Sequence, residues 1–191
     1  MNRRKAIGRI VLIGGGTAAA YSGYKWYDWN KRPDLGWLDQ KKALISYLAE
    51  AIIPATDSPG AGEAGVADYI IIMVKDCTAV KAQNKFIDGL KELENHCISS
   101  YNKPFEQCSE ADKNKVLEYF EKKDKPFKGI VGKAQNKFLG KTFFTTLREY
   151  TVWGYCSSEL GATKGLAYLF IPGRYQGCIP LQPGQKSWAT K

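Results

Sequence analysis

The stretch Phe86-Ile87-Asp88-Gly89-Leu90-Lys91-Glu92-Leu93-Glu94-Asn95-His96-Cys97 decides the fold class. Its members Phe86, Leu90, Leu93 and Cys97 follow one another at spacings of four, three and four, which stacks their side chains on one face of a helix. Lys91, Glu92 and Glu94 occupy the other face, so the segment predicts an amphipathic helix with one buried stripe. Moving toward the N-terminus, Ile70-Ile71-Ile72 taken alone would suit a strand. However, Val66, Ile70, Met73 and Cys77 share one helical face, and helical patterns flank the segment, so Val66 to Val74 predicts a buried helix. Thr56 to Gly65 (TDSPGAGEAG) is a loop by composition, with Pro59-Gly60 suited to a tight turn. Before it, Leu44, Ile45, Leu48 and Ile52 form a helical stripe that Asp39 would cap and Pro54 would stop; Lys31 to Gly36 is a loop.

Toward the C-terminus, Ser109-Glu110-Ala111-Asp112 has the form of a capping box ahead of a helix burying Val116, Leu117 and Phe120. Lys122 to Lys141 is basic and turn-rich; from Thr142 to Tyr155 the helical pattern returns, with Phe143, Phe144 and Leu147 inward. The last forty residues are rich in Gly, Pro and Tyr and read as ordered loop, apart from a short helix at Ala162–Leu169. The expectation is an all-α single domain of about five helices over residues 31–191, ending in a long ordered C-terminal loop segment.

Residues 1–30 are read as an export signal or membrane anchor. Asn2-Arg3-Arg4-Lys5 precedes an uncharged apolar run from Ile10 to Tyr21. Twelve such residues fall short of the roughly 20 that a helix needs to cross a bilayer core, but fit the apolar region of a secretory signal. Arg3 and Arg4 also permit twin-arginine export, which carries folded proteins. Two fates fit: cleavage after Ala18-Ala19-Ala20, or retention of Ile10 to Trp29 as a short anchor, with Tyr24, Trp26, Tyr27 and Trp29 at the interface. Gly14-Gly15-Gly16 has no following Gly-Lys-Ser/Thr, so it is no phosphate-binding turn.

The formal charge of +9 gives no nucleic-acid signal once its distribution is considered, because Arg3, Arg4, Lys5 and Arg9 supply four of those charges. Between Lys113 and Lys141 nine lysines alternate with Phe120, Phe127 and Phe138, but without the arginines that make bidentate phosphate and base contacts. Nor does the chain display catalytic equipment. Its one histidine, His96, lies beside a buried stripe near a helix end, and no serine or cysteine sits in a nucleophile-elbow context. His96-Cys97 with Cys108 lacks metal-ligand spacing, and a C-x-x-C pair is missing. Ser157 and Ser158 read as a helix cap or turn.

Five cysteines fit an oxidising compartment, and the odd count leaves at least one thiol unpaired or paired between chains. Cys97 and Cys108 flank a turn and could pair locally; Cys77 with Cys178 would tie an early helix to the C-terminal loop.

Two separated stretches resemble a known family. Ile52-Ile53-Pro54-Ala55-Thr56-Asp57-Ser58-Pro59-Gly60-Ala61, followed by Ala64-Gly65-Val66, is similar to a hallmark of the gluconate 2-dehydrogenase subunit 3 family. Gly154-Tyr155, Ser158-Glu159-Leu160-Gly161-Ala162 and Pro172-Gly173-Arg174-Tyr175-Gln176-Gly177-Cys178-Ile179-Pro180 resemble its C-terminal elements, with Cys156 where an aromatic is common. The resemblance implies a non-catalytic small subunit, carrying no cofactor itself, of a periplasmic dehydrogenase of the glucose-methanol-choline type. The FAD-containing catalytic large subunit would oxidise a sugar, sugar acid or glycoside and pass electrons to a c-type cytochrome or another membrane-linked acceptor. The small subunit would supply export and stabilisation. Thr56, Asp57, Pro59 and Gly60, with Tyr155, Glu159, Arg174, Tyr175 and Gly177, are the expected partner interface. A stand-alone membrane-anchored binding module without an enzyme partner is the alternative.

Overall fold

The computed structural model describes residues 23–24, 30–125, 141–171, 173, 177–178 and 180–189. Among them the fold is all-α. In chain order come α1 (Leu35–Gln40), α2 (Lys42–Ile52), α3 (Val66–Asp76), α4 (Val80–Tyr101), a 3-10 turn (Phe105–Gln107), α5 (Glu110–Asp124), α6 (Phe143–Ser157) and a π-helical turn (Gly161–Gly165).

The deciding stretch lies inside α4 as expected: Phe86 is 1% exposed, and Leu90, Leu93 and Cys97 are fully buried. The stripe continues the other way through Gln83, whose Nε2 donates to the carbonyls of Val74 (2.9 Å) and Lys75 (2.8 Å). A helix's last carbonyls lack intrahelical partners, so this buried amide closes the end of α3 from a neighbouring helix. Asn102, in the left-handed conformation at φ 53°, ends α4. Helix α6 is the hub and touches α2, α3, α4 and α5. Its close approach to α4 depends on Gly89, where an added Cβ would lie 2.2 Å from Phe143 Cγ.

One cap follows local rules. Ser109 Oγ accepts from Asp112 N–H (3.2 Å) and donates to Asp112 Oδ2 (2.7 Å) at the start of α5. That hydroxyl bond, followed by Lys115, holds the Asp112 carboxyl below its ordinary range. A second cap comes from far away: Asp124, the last residue of α5, accepts from Phe144 N–H (2.7 Å) and so docks the start of α6.

Three expectations need correction. Asp39 is not a cap; it lies within α1, which Asp34 caps by accepting from Trp37 N–H (2.9 Å), and its carboxylate pairs with Lys75 at 2.9 Å. The segment before α2 is therefore a helix of its own, and the described residues hold six α-helices where about five were expected. Next, α3 buries Val66, Ala67, Ile70, Ile71 and Val74, a face rotated away from the anticipated one; Cys77 falls beyond its end and is exposed. Last, the short helix expected at Ala162–Leu169 is only the π turn Gly161–Gly165. Beyond it the chain runs extended and forms an isolated parallel bridge between Ala167 and Trp188. Arg3 and Arg4, with most of the lysine-rich stretch from Lys122 to Lys141, lie outside the described residues.

Candidate functional site: a clasp between two distant loops

Glu50, in the last turn of α2, turns its carboxylate back over the loop that follows. Oε1 accepts from Ala55 N–H (2.9 Å) and Oε2 from Gly62 N–H (2.7 Å). Both are charge-assisted bonds from backbone to an anion, the stronger kind. Between them sits Gly60, buried, where a Cβ would stand 2.3 Å from Glu50 Oε1. The loop is further fixed by Ala61 N–H to Ile53 O (3.0 Å), Thr56 N–H to Ser58 O (3.0 Å) and Ala64 N–H to Gly60 O (3.1 Å). Gly65, at φ 69°, takes the left-handed turn into α3.

The other half of the clasp is Tyr155. It is 7% exposed, and its hydroxyl donates to Pro59 O at 2.8 Å across 96 positions of sequence. The π turn wraps around this one residue. Ser158 Oγ donates to Tyr155 O (2.8 Å) and accepts from Gly161 N–H (3.0 Å). A Cβ at Gly161 would meet Tyr155 O at 1.9 Å, and one at Gly165 would meet Tyr155 Oη at 2.4 Å. Of Ser157 and Ser158, both read from the sequence as a cap or turn, it is Ser158 that caps the π turn.

The structure therefore separates the expected interface residues by position. Thr56, Asp57, Glu159 and Gly177 are exposed; Pro59 is half-buried; Gly60 and Tyr155 are buried within the chain, one making room for Glu50 and the other latching the loop. Arg174 and Tyr175 lie outside the described residues. Glu50 is the residue that sequence reasoning missed. The signal available was an acidic residue closing an apolar helix just before a Gly-rich loop.

Downstream of the clasp, the bridge between Ala167 and Trp188 is made by Ala167 N–H to Ser187 O (2.8 Å) and Ala189 N–H to Ala167 O (2.9 Å). It closes a loop that carries Tyr168, Leu169, Phe170, Ile171 and Leu181 outward, with Phe170 84%, Ile171 78% and Leu181 85% exposed.

The remaining chemistry is structural. His96 is stacked on Tyr119 (ring centroids 4.3 Å apart) with Phe120 edge-on at 5.9 Å. Among the described residues no three His, Cys, Asp or Glu side chains come together as a metal site, and no helix is long and apolar enough to cross a membrane. A cavity of about 160 Å³ between α5 and α6 is lined by Glu121, Asp124, Lys125, Phe144, Thr145 and Arg148; its Asp124 is already committed to the α6 cap. All five cysteines are free thiols: Cys77, Cys156 and Cys178 exposed, Cys97 and Cys108 buried. Neither expected pairing is formed.

The sequence signature of the gluconate 2-dehydrogenase subunit 3 family matches residues 39–173, a span that holds both halves of the clasp. The chain belongs to the gluconate 2-dehydrogenase subunit 3 family. No curated protein and no solved structure matches it. Membership makes it an accessory subunit of a dehydrogenase complex, associated with a catalytic subunit. The loop held by Glu50 and the segment carrying Tyr155 and the π turn both lie within the matched span and meet in one internal contact.

Proposed function

We propose that this subunit is non-catalytic and serves as the exported small partner of an FAD-dependent dehydrogenase of the glucose-methanol-choline type, acting on a sugar, sugar acid or glycoside. The observation that carries the reading is the loop closed by Ala167 and Trp188. Phe170, Ile171 and Leu181, each at least 78% exposed, are held out by a bridge that is itself joined to the clasp. A chain that folds alone seldom leaves adjacent large apolar residues such as Phe170 and Ile171 standing in water, and exposed apolar surface of this kind marks protein contacts. In this reading the clasp sets the position of the contact loop, and the catalytic subunit covers its apolar tip. Thr56, Asp57 and Glu159 complete the contact as polar rim residues, joined by Gly177, Arg174 and Tyr175 from the tail.

Export is assigned to residues 1–30, with Arg3 and Arg4 as the basic entry signal. A catalytic subunit lacking its own signal would travel with this chain in folded form, to a periplasmic location where an uncleaved N-terminus would tether the pair to the membrane. Electrons from the flavin would then leave through a c-type cytochrome. The experiment is a paired substitution, Phe170→Asp with Ile171→Asp, in the full chain co-expressed with its catalytic subunit. Recovery of the complex should fall at least tenfold, with the thermal unfolding of the isolated small subunit shifted little, since exposed positions contribute little to its stability. Unchanged recovery of an active complex would remove this loop from the interface.

A further inference from the structure

The end of the chain carries charge of one sign only. All 19 acidic residues lie at or before Glu159, whereas residues 160–191 hold Lys164, Arg174, Lys186 and Lys191. Elsewhere lysines are matched: Lys41 pairs with Glu94, Lys42 with Asp68 and Lys75 with Asp39. In the tail, composition rules out matching within the segment, and among the described residues neither Lys164 nor Lys186 has a carboxylate partner. These two lysines stand together at the base of the contact loop. Lys164 belongs to the π turn and precedes Ala167; Lys186 precedes Trp188, so the pair flanks the bridge on both of its arms. Both residues are exposed, and the Lys186 ammonium donates to the Lys164 carbonyl, which holds it against the turn. An ammonium has three donors, so two stay available to an outside acceptor. Gathering like charges beside an exposed apolar tip costs the lone chain stability. That cost is offset where a partner brings the opposite sign.

We propose that the contact loop docks on an acidic patch of the catalytic subunit: an apolar pocket takes Phe170 and Ile171, and carboxylates at its edge take the ammonium groups of Lys164 and Lys186. This rests on the reading of the loop as the contact with that subunit, and adds the chemistry of the surface it meets. The two parts of the loop do different work. The apolar tip is covered in the complex and sets how slowly it dissociates. The lysines at the base stay near solvent and act on the encounter, so they set the association rate and its dependence on salt. Asp57 and Glu159, the acidic members of the rim, come from the clasp loop and from just before the π turn. The contact surface therefore carries both signs, which fixes its orientation on a partner of complementary pattern. An anionic lipid surface would attract the same basic and apolar groups. A protein surface is favoured because the bridge and the clasp hold the loop in one shape, and because the chain belongs to a family of accessory subunits.

The test measures binding of the catalytic subunit to the full chain, immobilised through its N-terminus, at about 0.1 M and about 1 M salt, between which the Debye length falls from about 10 Å to about 3 Å. Two double variants are compared with the unsubstituted chain: Lys164→Gln with Lys186→Gln, and Lys164→Glu with Lys186→Glu. Both remove the ammonium that bonds the Lys164 carbonyl, so a purely structural role would make them equal. The expected result is graded by charge. At the lower salt the association rate falls about threefold for the glutamine pair and about tenfold for the glutamate pair, dissociation changes little, and the higher salt brings all three proteins together. Equal losses in the two pairs that persist at the higher salt would overturn the proposal, because the lysines would then only shape the loop. Unchanged association in both pairs would overturn it too. If Phe170→Asp with Ile171→Asp still releases the partner in that case, the loop remains the contact and only its acidic counterpart is lost; binding by every variant removes both. Flotation of the full chain with vesicles of phosphatidylcholine and phosphatidylglycerol in equal parts, lost in the glutamate pair while binding of the catalytic subunit is unchanged, would assign the loop to a lipid surface instead.

Discussion

Replacing Gly60 with alanine tests the clasp most sharply, because the structure says which atoms object. The three nearest neighbours of the new Cβ all belong to the Glu50 carboxylate, the closest at 2.3 Å. Gly60 does not lie in the left-handed region, so backbone strain adds nothing, and the cost reduces to driving Glu50 off its two amides. Charge-assisted bonds contribute about 1.5–3 kcal/mol each, and a buried amide left without an acceptor costs about as much. Ala55 is exposed and can turn to water, whereas Gly62 is half-buried. We therefore expect Glu50→Ala to lower stability by about 2–4 kcal/mol, and Gly60→Ala by a similar amount. The two effects share one cause, so they should not add. In the Glu50→Ala background, Gly60→Ala should change stability by no more than about 0.5 kcal/mol, or even raise it slightly through the unfolded chain. Urea unfolding of the four proteins followed by far-ultraviolet circular dichroism gives the cycle. Strictly additive costs would refute the reasoning, since Gly60 would then matter for something other than making room for Glu50.

Two further outcomes follow from the same geometry. Tyr155→Phe keeps the packed ring but removes the donor to Pro59 O; it should cost about 1 kcal/mol, read by the same urea unfolding, and should increase proteolytic cutting within residues 54–62. In the reduced protein, Cys97 is raised to about 12, first by burial, from an ordinary thiol value of 9.0. Its contribution to stability is then complete below about pH 9 and is lost as pH climbs toward about 12, at a slope of up to about 1.4 kcal/mol per pH unit. Cys97→Ala should flatten that part of the alkaline stability curve, and an identical curve for the variant would show that the thiol is not held protonated by its site.

The helices were legible where local spacing and burial coincide. The four-three-four pattern of α4, the stripe of α5 and the Ser109 cap are each set by residues within a turn or two of one another. Asp39 and Asp34 show where this ends: both are acidic residues ahead of an apolar stripe, and it is Asp34 that caps α1, while Asp39 lies within that helix and pairs with the distant Lys75. Tyr155 was legible as important but not as internal, because a tyrosine amid glycines can face a partner or its own chain equally well. Here Gly161 and Gly165 crowd it from within. Glu50 was invisible for a further reason. It binds backbone N–H groups, which every residue but proline has, so no partner side chain marks it in the sequence.

The claim on which the rest depends is that this chain works by holding another protein. The direct measurement is to tag the full chain, express it with its catalytic subunit, purify it from the exported fraction and record the visible absorbance spectrum. The account predicts a stoichiometric complex that shows flavin bands and dehydrogenase activity, with both lost from the tagged fraction when Phe170 and Ile171 are changed to aspartate. A colourless tagged chain, eluting alone while the flavoprotein and its activity are recovered elsewhere, would contradict it.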